Sequence, residues 1–160
     1  MPTTSTAPLT IRPATVADVA ALAPLFDAYR QFYEQPADLA LARDYLHQRL
    51  LHGQSVVLMA HTASGMVAGF CQLYPTFCSV LAQPIHVLYD LFVTPACRRQ
   101  GVAQHLLAAA AERGRLDGVA RLDLTTAHTN TAAQALYESM GWVHDRVFRT
   151  YNLDLSRPPQ

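Results

Sequence analysis

Segment 94–103 contains the residue types that would hold a polyanion. Arg98 and Arg99 are followed by Gly101 and Ala103, where a helix is expected to begin after a buried strand. The first turn of a helix has unpaired N–H groups and the positive end of the helix dipole, and small residues there let an anionic group approach the backbone. The loop therefore suits a pyrophosphate, with an ordinary helix start carrying two solvated arginines as the alternative. Its spacing is not G-x-G-x-x-G and no Gly-Lys-Ser/Thr follows, which argues against a Rossmann dinucleotide site or a Walker loop.

Asp90 is the only charged residue in the apolar segment 85–93. An unpaired charge inside such a strand would cost several kcal/mol, so Asp90 must have a bonding partner, a raised pKa or a solvent-filled cleft beside it. These conditions make Asp90 the first candidate for a general base, acting directly or through a water, or for a substrate anchor. The alternative is a structural carboxylate bonded to backbone or to an arginine.

The cysteine and histidine residues predict no metal site. Cys71, Cys78 and Cys97 are odd in number and lack a metal-type pairing. We interpret Cys71 and Cys78 as ordinary buried thiols, whereas Cys97, beside the arginine loop, is a candidate for greater exposure. The seven histidines are scattered, and no two share a ligand-like i, i+4 spacing on one helix with a third nearby.

The elements that position these residues follow the order β-α-α-β-β-β-α-β-α-β-β, which predicts a mixed α/β sheet. Residues 1–8 are rich in Thr, Ser and Pro and predict a loose tail, followed by one domain over residues 9–156. Helix signals include a capping box opened by Thr15 and an N-cap at Asp38. Strands are expected over 9–13, 56–61, 66–74, 85–93, 121–126, 142–148 and 150–155, and an irregular link over 75–84. Helices are expected over 15–33, 39–50, 101–116 and 131–140.

Composition excludes several classes of protein. The chain has 160 residues, and its twelve basic residues, all arginine, balance twelve acidic ones. A neutral chain argues against a basic nucleic-acid binder and a polybasic membrane anchor. No apolar run approaches the ~18 residues of a transmembrane helix, and the N-terminus lacks a signal-peptide layout. We therefore expect a soluble, cytoplasmic protein that binds neither nucleic acid nor membrane.

The strand, R-x-x-G-x-A loop and helix around Arg98 resemble motif A of the GNAT superfamily of N-acetyltransferases. A second landmark of that family follows at the expected distance, namely Asn130 and then the segment Ala135-Leu136-Tyr137-Glu138-Ser139-Met140-Gly141-Trp142. The expected element order is also that of the family. The resemblance implies a central, mostly antiparallel sheet of six to seven strands flanked by about four helices. The segments Asp90-Leu91-Phe92-Val93 and 136–142 look most like the small polyamine- and histone-type branch of the family. Tyr89, however, stands where that branch commonly has an acidic residue.

The resemblance also implies the site residues. Those assigned to acetyl-CoA are Leu91, Phe92, Val93, Arg98, Arg99, Gln100, Gly101, Val102, Ala103, Asn130, Ala133 and Tyr137. The backbone of Leu91 to Val93 would pair with the pantetheine arm, and strand splaying beside a bulge would open the slot for it. Tyr137 would protonate the leaving thiolate, with a core tyrosine whose hydroxyl is satisfied as the alternative.

The first helix pair would flank the acceptor side. Its acidic residues are candidates to line that side, with solvated helix faces or caps as the alternative; they are Asp27, Glu34 and Asp38. An aromatic group in the same region is expected to be mostly core, with one tyrosine facing the acceptor; it comprises Tyr29, Phe32 and Tyr33.

The expected activity is direct transfer of an acetyl group from acetyl-CoA to a primary amine of a small molecule or peptide. Asp90 would act as base and Tyr137 as acid, whereas no histidine is placed by sequence to activate Cys97 for a covalent route. A non-catalytic acyl-CoA-binding or regulatory module on the same fold is the alternative, and so is an acyl group other than acetyl. Family members are often dimers, and the apolar segment 151–155 would let two copies share a sheet edge.

Overall fold

The structure is a computed structural model in which residues 8–156 are described. Their contacts divide the chain into two compact units that adjoin in sequence between Thr125 and Thr126. Of the loose tail expected over residues 1–8, residues 1–7 lie outside the described part. No helix within residues 8–156 is long and apolar enough to cross a membrane.

Five strands form one sheet in the unit that ends at Thr125. They are β1 (Thr10–Pro13), β2 (Val56–His61), β3 (Val67–Cys78), β4 (Gln83–Val93) and β5 (Leu122–Asp123). Their order across the sheet follows the chain; β1 to β4 pair antiparallel, and β5 pairs parallel with β4. The expected α/β class with a mostly antiparallel sheet is confirmed, but the described residues form five strands rather than six to seven.

Four α-helices lie within residues 8–156: α1 (Val19–Phe32), α2 (Leu39–Leu51), α3 (Val102–Leu116) and α4 (Thr131–Ser139). The start signals read from the sequence are present. The Asp18 carboxylate accepts the N–H of Thr15 at 2.8 Å ahead of α1, and that of Asp38 accepts the N–H of Leu41 at 2.9 Å as the N-cap of α2. Each carboxylate satisfies an N–H group that a helix start leaves unpaired.

The main hydrophobic core lies between the sheet and helices α1 and α2. Its buried members are Val19, Leu22, Ala23, Phe26, Ala42, Leu46, Val57, Met59, Phe70 and Phe92. Successive strand residues point to opposite faces, so Cys71 faces away from this core and toward α3, where its Sγ lies 3.9 Å from the carbonyl oxygen of Leu106. The sheet is therefore covered by α1 and α2 on one face and by α3 on the other.

The hairpin between β3 and β4 is longer than the sequence predicts. Residues 75–84 are expected to form an irregular link, but β3 continues through Pro75 to Cys78 and β4 begins at Gln83. This prediction is wrong because a proline is tolerated where a strand has a free edge. The ladder with β2 ends at Leu73, so Pro75 pairs with His86 of β4 alone.

Over residues 126–156, the second unit contains α4 and then a segment without strands. Alternating apolar residues predict strands over 142–148 and 150–155, and the structure contradicts both. A strand needs a partner for its N–H and C=O groups, and the described residues of this unit provide none. Six large apolar side chains after α4 are exposed; they are Val143, Val147, Phe148, Tyr151, Leu153 and Leu155. The homodimer, which relied on a strand here, stays a prediction.

Candidate active site

Strand β4 has an open edge next to its C-terminal end. It pairs with β3 along its whole length but with β5 only at His86 and Val87. Within residues 8–156, the β5-facing backbone from Leu88 to Val93 has no strand partner. Such an edge offers N–H and C=O groups to the amides of an extended ligand. The three residues expected to pair with a pantetheine arm, Leu91, Phe92 and Val93, lie on it.

A β-bulge lies at the start of this edge. Asp90 pairs with Gln72 of β3, and Leu88 pairs with the next residue, Leu73, so Tyr89 is an extra residue of β4. The hydroxyl of Tyr29 on α1 donates to the carbonyl oxygen of Tyr89 at 3.1 Å. The bulge is therefore held from the α1 side, and the Tyr89 side chain remains 66% exposed.

The Asp90 carboxylate is buried, with 3% of the residue exposed. It accepts a hydrogen bond from Nε2 of Gln72 at 2.5 Å, and the Tyr29 hydroxyl, which donates its proton to the Tyr89 carbonyl, lies nearby. Burial raises the pKa of the Asp90 carboxyl, and the hydrogen bond from Gln72 and the nearby Tyr29 hydroxyl oppose part of that rise. The expectation that this charge needs a partner is met by the Gln72 amide rather than by an arginine.

Tyrosines from four elements form a cluster beside this carboxylate. The hydroxyls of Tyr45 on α2 and Tyr74 on β3 are 2.7 Å apart, and the Tyr74 ring packs edge-on to Tyr89 at a centroid distance of 5.5 Å. Burial, and then the negative charge of Asp90, raise the pKa of Tyr29. Burial, the bond to Tyr45 and the charge of Asp90 raise that of Tyr74. Both phenols therefore stay protonated at neutral pH.

The aromatic group at the end of α1 is less buried than the sequence predicts. Tyr29 packs against the core, but Phe32 is 62% and Tyr33 45% exposed. The reason is that both residues lie at the C-terminal end of α1, beyond its last buried position at Asp27. The Tyr33 ring still contacts Tyr29 edge-on, with centroids 5.1 Å apart.

The acidic residues expected on the acceptor side have structural roles or face solvent. Asp27 is buried and accepts the N–H of Asp38 at 2.9 Å, which ties the end of α1 to the start of α2. It also pairs with Arg30 at 3.2 Å. Glu34 is exposed with a φ of 61°. Asp38 fits the cap alternative and Glu34 faces solvent, whereas the buried Asp27 fits neither alternative.

The loop after β4 leads into α3 through a single left-handed glycine. Gly101 is the N-cap of α3 with a φ of 78° and no side chain to occupy the helix N-terminus. Arg98 and Arg99 are exposed beside it, and the Arg98 Nε donates to the carbonyl oxygen of Val93 at 3.2 Å. The Val102 side chain is buried, so only its backbone faces this end of the helix. The first-turn N–H groups and two cations are thus positioned to bind a phosphate group.

Two other loop residues are held by local hydrogen bonds. The Gln100 Nε2 donates to the carbonyl oxygen of Ala96 at 3.1 Å, and the Nδ1 of His105 lies 2.8 Å from the carbonyl oxygen of Gly101. Ala103 is half-buried in the first turn. These contacts fix the loop backbone without placing an anionic side chain near it.

The cysteines differ in part from expectation. Cys71 is buried, and burial raises its pKa to about 12. Cys78 is only half-buried, because it ends β3 at the open tip of the hairpin, 3.6 Å from Arg121 Nη1. Cys97 is 4% exposed, which contradicts the greater exposure expected of it, because the turn over 95–97 points it into the core. A thiol so placed is not presented to a thioester.

The unit from Thr126 holds the remaining expected site residues on α4. Asn130 is the N-cap, and its side chain accepts the N–H of Ala133 at 3.4 Å. The half-buried Tyr137 ring lies 6.1 Å from the Trp142 ring, and the N–H of Trp142 donates to the carbonyl oxygen of Tyr137 at 3.0 Å. The structure thus gives Asn130 a capping role. The acetyl-CoA contacts of Asn130 and Ala133 and the acid role of Tyr137 stay predictions.

The model of the Acetyltransferase (GNAT) family matches residues 21–142, from α1 to the residue after the Gly141 turn. The chain belongs to the GNAT family of acetyltransferases. The expected superfamily membership is confirmed, and the chain is an enzyme of the acetyltransferase class rather than a non-catalytic module.

Individual relatives agree with the family assignment. This GNAT chain is 44% identical over 147 residues to the uncharacterized N-acetyltransferase YhfO of Bacillus subtilis (strain 168), covering 92% of this chain and 98% of that one. The crystal structure of a probable acetyltransferase superposes with a TM-score of 0.87 at 37% identity, covering 93% of this chain and 99% of that one. L-ornithine N5-acetyltransferase NATA1 of Arabidopsis thaliana is 33% identical over 88 residues, covering 55% of this chain and 37% of that one.

Sequence reasoning missed the residues that surround the carboxylate of this acetyltransferase. Gln72 is a single polar residue inside the apolar run 67–73, and that position was the available signal for a partner of Asp90. Tyr45 and Tyr74 gave no such signal, because their pairing depends on how α2 crosses β3.

Proposed function

We propose that this GNAT enzyme transfers the acetyl group of acetyl-CoA to a primary amine of a small molecule or peptide by direct attack of the amine on the thioester. The proposal rests on one observation: the carboxylate, the open strand edge and the arginine loop follow one another directly along the chain. A buried carboxylate at Asp90 is followed by the open edge of Leu91 to Val93, and that edge leads through the arginine loop to the N-terminus of α3.

The chemistry of this stretch fits acetyl-CoA from end to end. The pyrophosphate would bind the first-turn N–H groups of α3, with Arg98 and Arg99 adding positive charge. The two amides of the pantetheine arm would pair with the open β4 edge as a further strand would. A backbone N–H of the same edge would then polarise the thioester carbonyl and stabilise the oxyanion formed on attack.

Asp90 is suited to receive the amine proton. An alkylamine with a pKa near ~10 arrives mostly as ammonium and must lose a proton before it attacks. Burial raises the pKa of Asp90, so its ionised form is a stronger base than an ordinary aspartate. The base is available above that pKa and is lost as the pH falls through it.

Tyr137 is the proposed acid. The amine nitrogen forms a bond to the carbonyl carbon, the carbon–sulfur bond breaks, and the sulfur leaves with the electron pair. Tyr137 would donate its phenolic proton to that sulfur and regain one from the nitrogen, which loses its second proton in this step. The first proton, taken by Asp90, passes to solvent.

The acceptor is proposed at the level of a primary amine. The NATA1 relative is named for the side-chain amine of L-ornithine, and a peptide amine remains the second class to test. We further propose that residues 9–156 act as a single acetyltransferase domain, because the family match runs from α1 through α4. Cytoplasmic location and homodimer formation are proposals that cell fractionation and sedimentation would test.

The decisive experiment incubates the protein with acetyl-CoA and a panel of amines. The panel contains L-ornithine, n-butylamine and a peptide beginning with alanine, and mass spectrometry follows both the acetylated product and free CoA. We expect amine-dependent acetylation that Asp90→Asn reduces strongly. If no amine raises CoA release above the hydrolysis rate while CoA still binds, the proposed transfer reaction is wrong.

A further inference from the structure

Gln72 carries a buried hydrogen-bond acceptor that the fold leaves unused. The residue is fully buried on β3, opposite Asp90, and its Nε2 donates to the Asp90 carboxylate. Its Oε1 is also buried and has no hydrogen-bond donor among residues 8–156. The amide orientation follows from chemistry, because an ionised carboxylate only accepts and must therefore face the NH₂ group. A buried acceptor without a donor is unfavourable, so its retention calls for a ligand that supplies one.

The groups around Asp90 are suited to an organic cation. Tyr29 and Tyr74 both lie close enough for the Asp90 charge to influence their ionisation. The Tyr89 ring packs against Tyr74, with centroids 5.5 Å apart. Aromatic faces attract ammonium groups, and a carboxylate adds the counter-charge. Within residues 8–156, no arginine forms an ion pair with Asp90, so this charge is available to a ligand.

We propose that Gln72 Oε1 and the Asp90 carboxylate together receive the N–H groups of the acceptor, and that the acceptor is a primary amine at the end of an unbranched methylene chain. This inference rests on the proposed acetyl transfer. The amine donates one N–H to Gln72 and gives a proton to Asp90, while its methylene chain lies between tyrosine rings. Branching at the carbon next to nitrogen would widen the ligand where Asp90 is only 3% exposed.

The proposed route to this buried pair is the exposed end of the tyrosine cluster. Tyr89 is 66% and Tyr33 45% exposed, so either ring can turn into solvent at little cost in buried apolar area. Tyr29 stays in place because its ring packs on the core and its hydroxyl holds the Tyr89 carbonyl. The proposed route of a slender alkylamine to Asp90 therefore leaves Tyr29 and the sheet in place.

The test compares two isomeric amines and one variant pair. n-Butylamine and sec-butylamine have the same formula and differ in branching next to nitrogen. We expect the wild-type enzyme to acetylate n-butylamine with at least about tenfold higher kcat/KM. Gln72→Met keeps the side-chain length and removes both amide functions, whereas Gln54→Met makes the same exchange at an exposed loop position and serves as control.

In Gln72→Met we expect the KM for n-butylamine to rise about 10- to 100-fold, the range for losing a buried bond to a charged group. The KM for acetyl-CoA should be unchanged. The acidic limb of the pH profile should move to higher pH, because a bond that favours ionised Asp90 is lost. A purely structural role for Gln72 would change the KM values for n-butylamine and acetyl-CoA together and would not weaken n-butylamine selectively.

Two results with n-butylamine and sec-butylamine overturn the inference without touching acetyl transfer itself. One is an n-butylamine KM in Gln72→Met within twofold of wild type, as expected if a buried water alone occupies Oε1. The other is equal use of the two isomers by the wild-type enzyme, a comparison that holds even where the variant fails to fold. Acetylation of the alanine peptide but of neither n-butylamine nor L-ornithine would also exclude the methylene-chain acceptor. Absence of acetylation with every amine would instead reject the proposed function.

Discussion

Replacing Gly101 by aspartate or asparagine tests the proposed pyrophosphate site by charge alone. A Cβ at this position would lie 3.7 Å from His105 Nδ1, which is an ordinary contact, so there is room for a side chain. The φ of 78° strains most residues, but Asn and Asp tolerate this left-handed region best. The two side chains have the same size and shape. Any difference between the variants therefore comes from one negative charge at the N-cap of α3.

The expected magnitude follows from where that charge would lie. An N-cap carboxylate accepts the N–H of the second or third helical residue, which are groups the pyrophosphate would use. Two unit charges about 5 Å apart repel by roughly 3 kcal/mol at an effective dielectric constant of ~20. Gly101 is exposed, so screening reduces this to about 1–2 kcal/mol. We expect CoA to bind Gly101→Asp about 5- to 30-fold more weakly than Gly101→Asn.

Isothermal titration with CoA at low and high salt is the assay. The gap between the two variants should narrow in 0.5 M NaCl, because the charges are close to solvent. Thermal unfolding without ligand should rank the variants in the opposite order, since a carboxylate at a helix N-terminus is stabilising. Weaker CoA binding in the more stable variant would separate electrostatic repulsion from damage to the fold. Equal CoA affinities, or a gap that does not depend on salt, would refute the placement of pyrophosphate at α3.

Three further substitutions test other parts of the structure. Asp90→Asn should lower kcat/KM about 10²- to 10⁴-fold and should abolish the acidic limb of the pH profile, in which the wild-type rate falls as the pH falls through the raised pKa of Asp90. An unchanged acidic limb in the variant would exclude Asp90 as the base. Tyr137→Phe should slow the chemical step with little change in the KM for acetyl-CoA, and full single-turnover activity at every pH would show that Tyr137 is not the acid. Asp38→Ala should lower the free energy of unfolding, measured by urea titration, by about 1 kcal/mol because α2 loses its N-cap. A change below about 0.3 kcal/mol would mean that the cap contributes little.

Local signals in the sequence predicted most helices and some strands. The strand over 56–61 and the start of α2 at Asp38 agree with the structure because each depends on residues adjacent in the chain. Alternation and capping chemistry act over a few residues, so one sequence contains all the information they need. The family resemblance extended this to the overall fold, which the match over residues 21–142 confirms.

Predictions that depended on distant partners were less successful. Pro75 stays within β3 only because β2 ends opposite Leu73, and nothing near Pro75 in sequence states where β2 ends. The segments 142–148 and 150–155 have strand-like alternation, but alternation cannot supply a neighbouring strand. The amide partner of Asp90 likewise belongs to β3, eighteen positions away in the chain.

The bulge at Tyr89 shows why the local pattern of β4 is a poor guide to its faces. In a regular strand Leu88 and Asp90 would point to the same side. Leu88 instead pairs with Leu73 and Asp90 with Gln72, which are neighbours on β3 and therefore point to opposite faces. The extra residue lets Leu88 stay buried on the α3 face while Asp90 meets the tyrosines of the α1 and α2 face. One inserted residue thus reconciles a continuous apolar strand with a buried carboxylate, and its carbonyl is the group that Tyr29 holds.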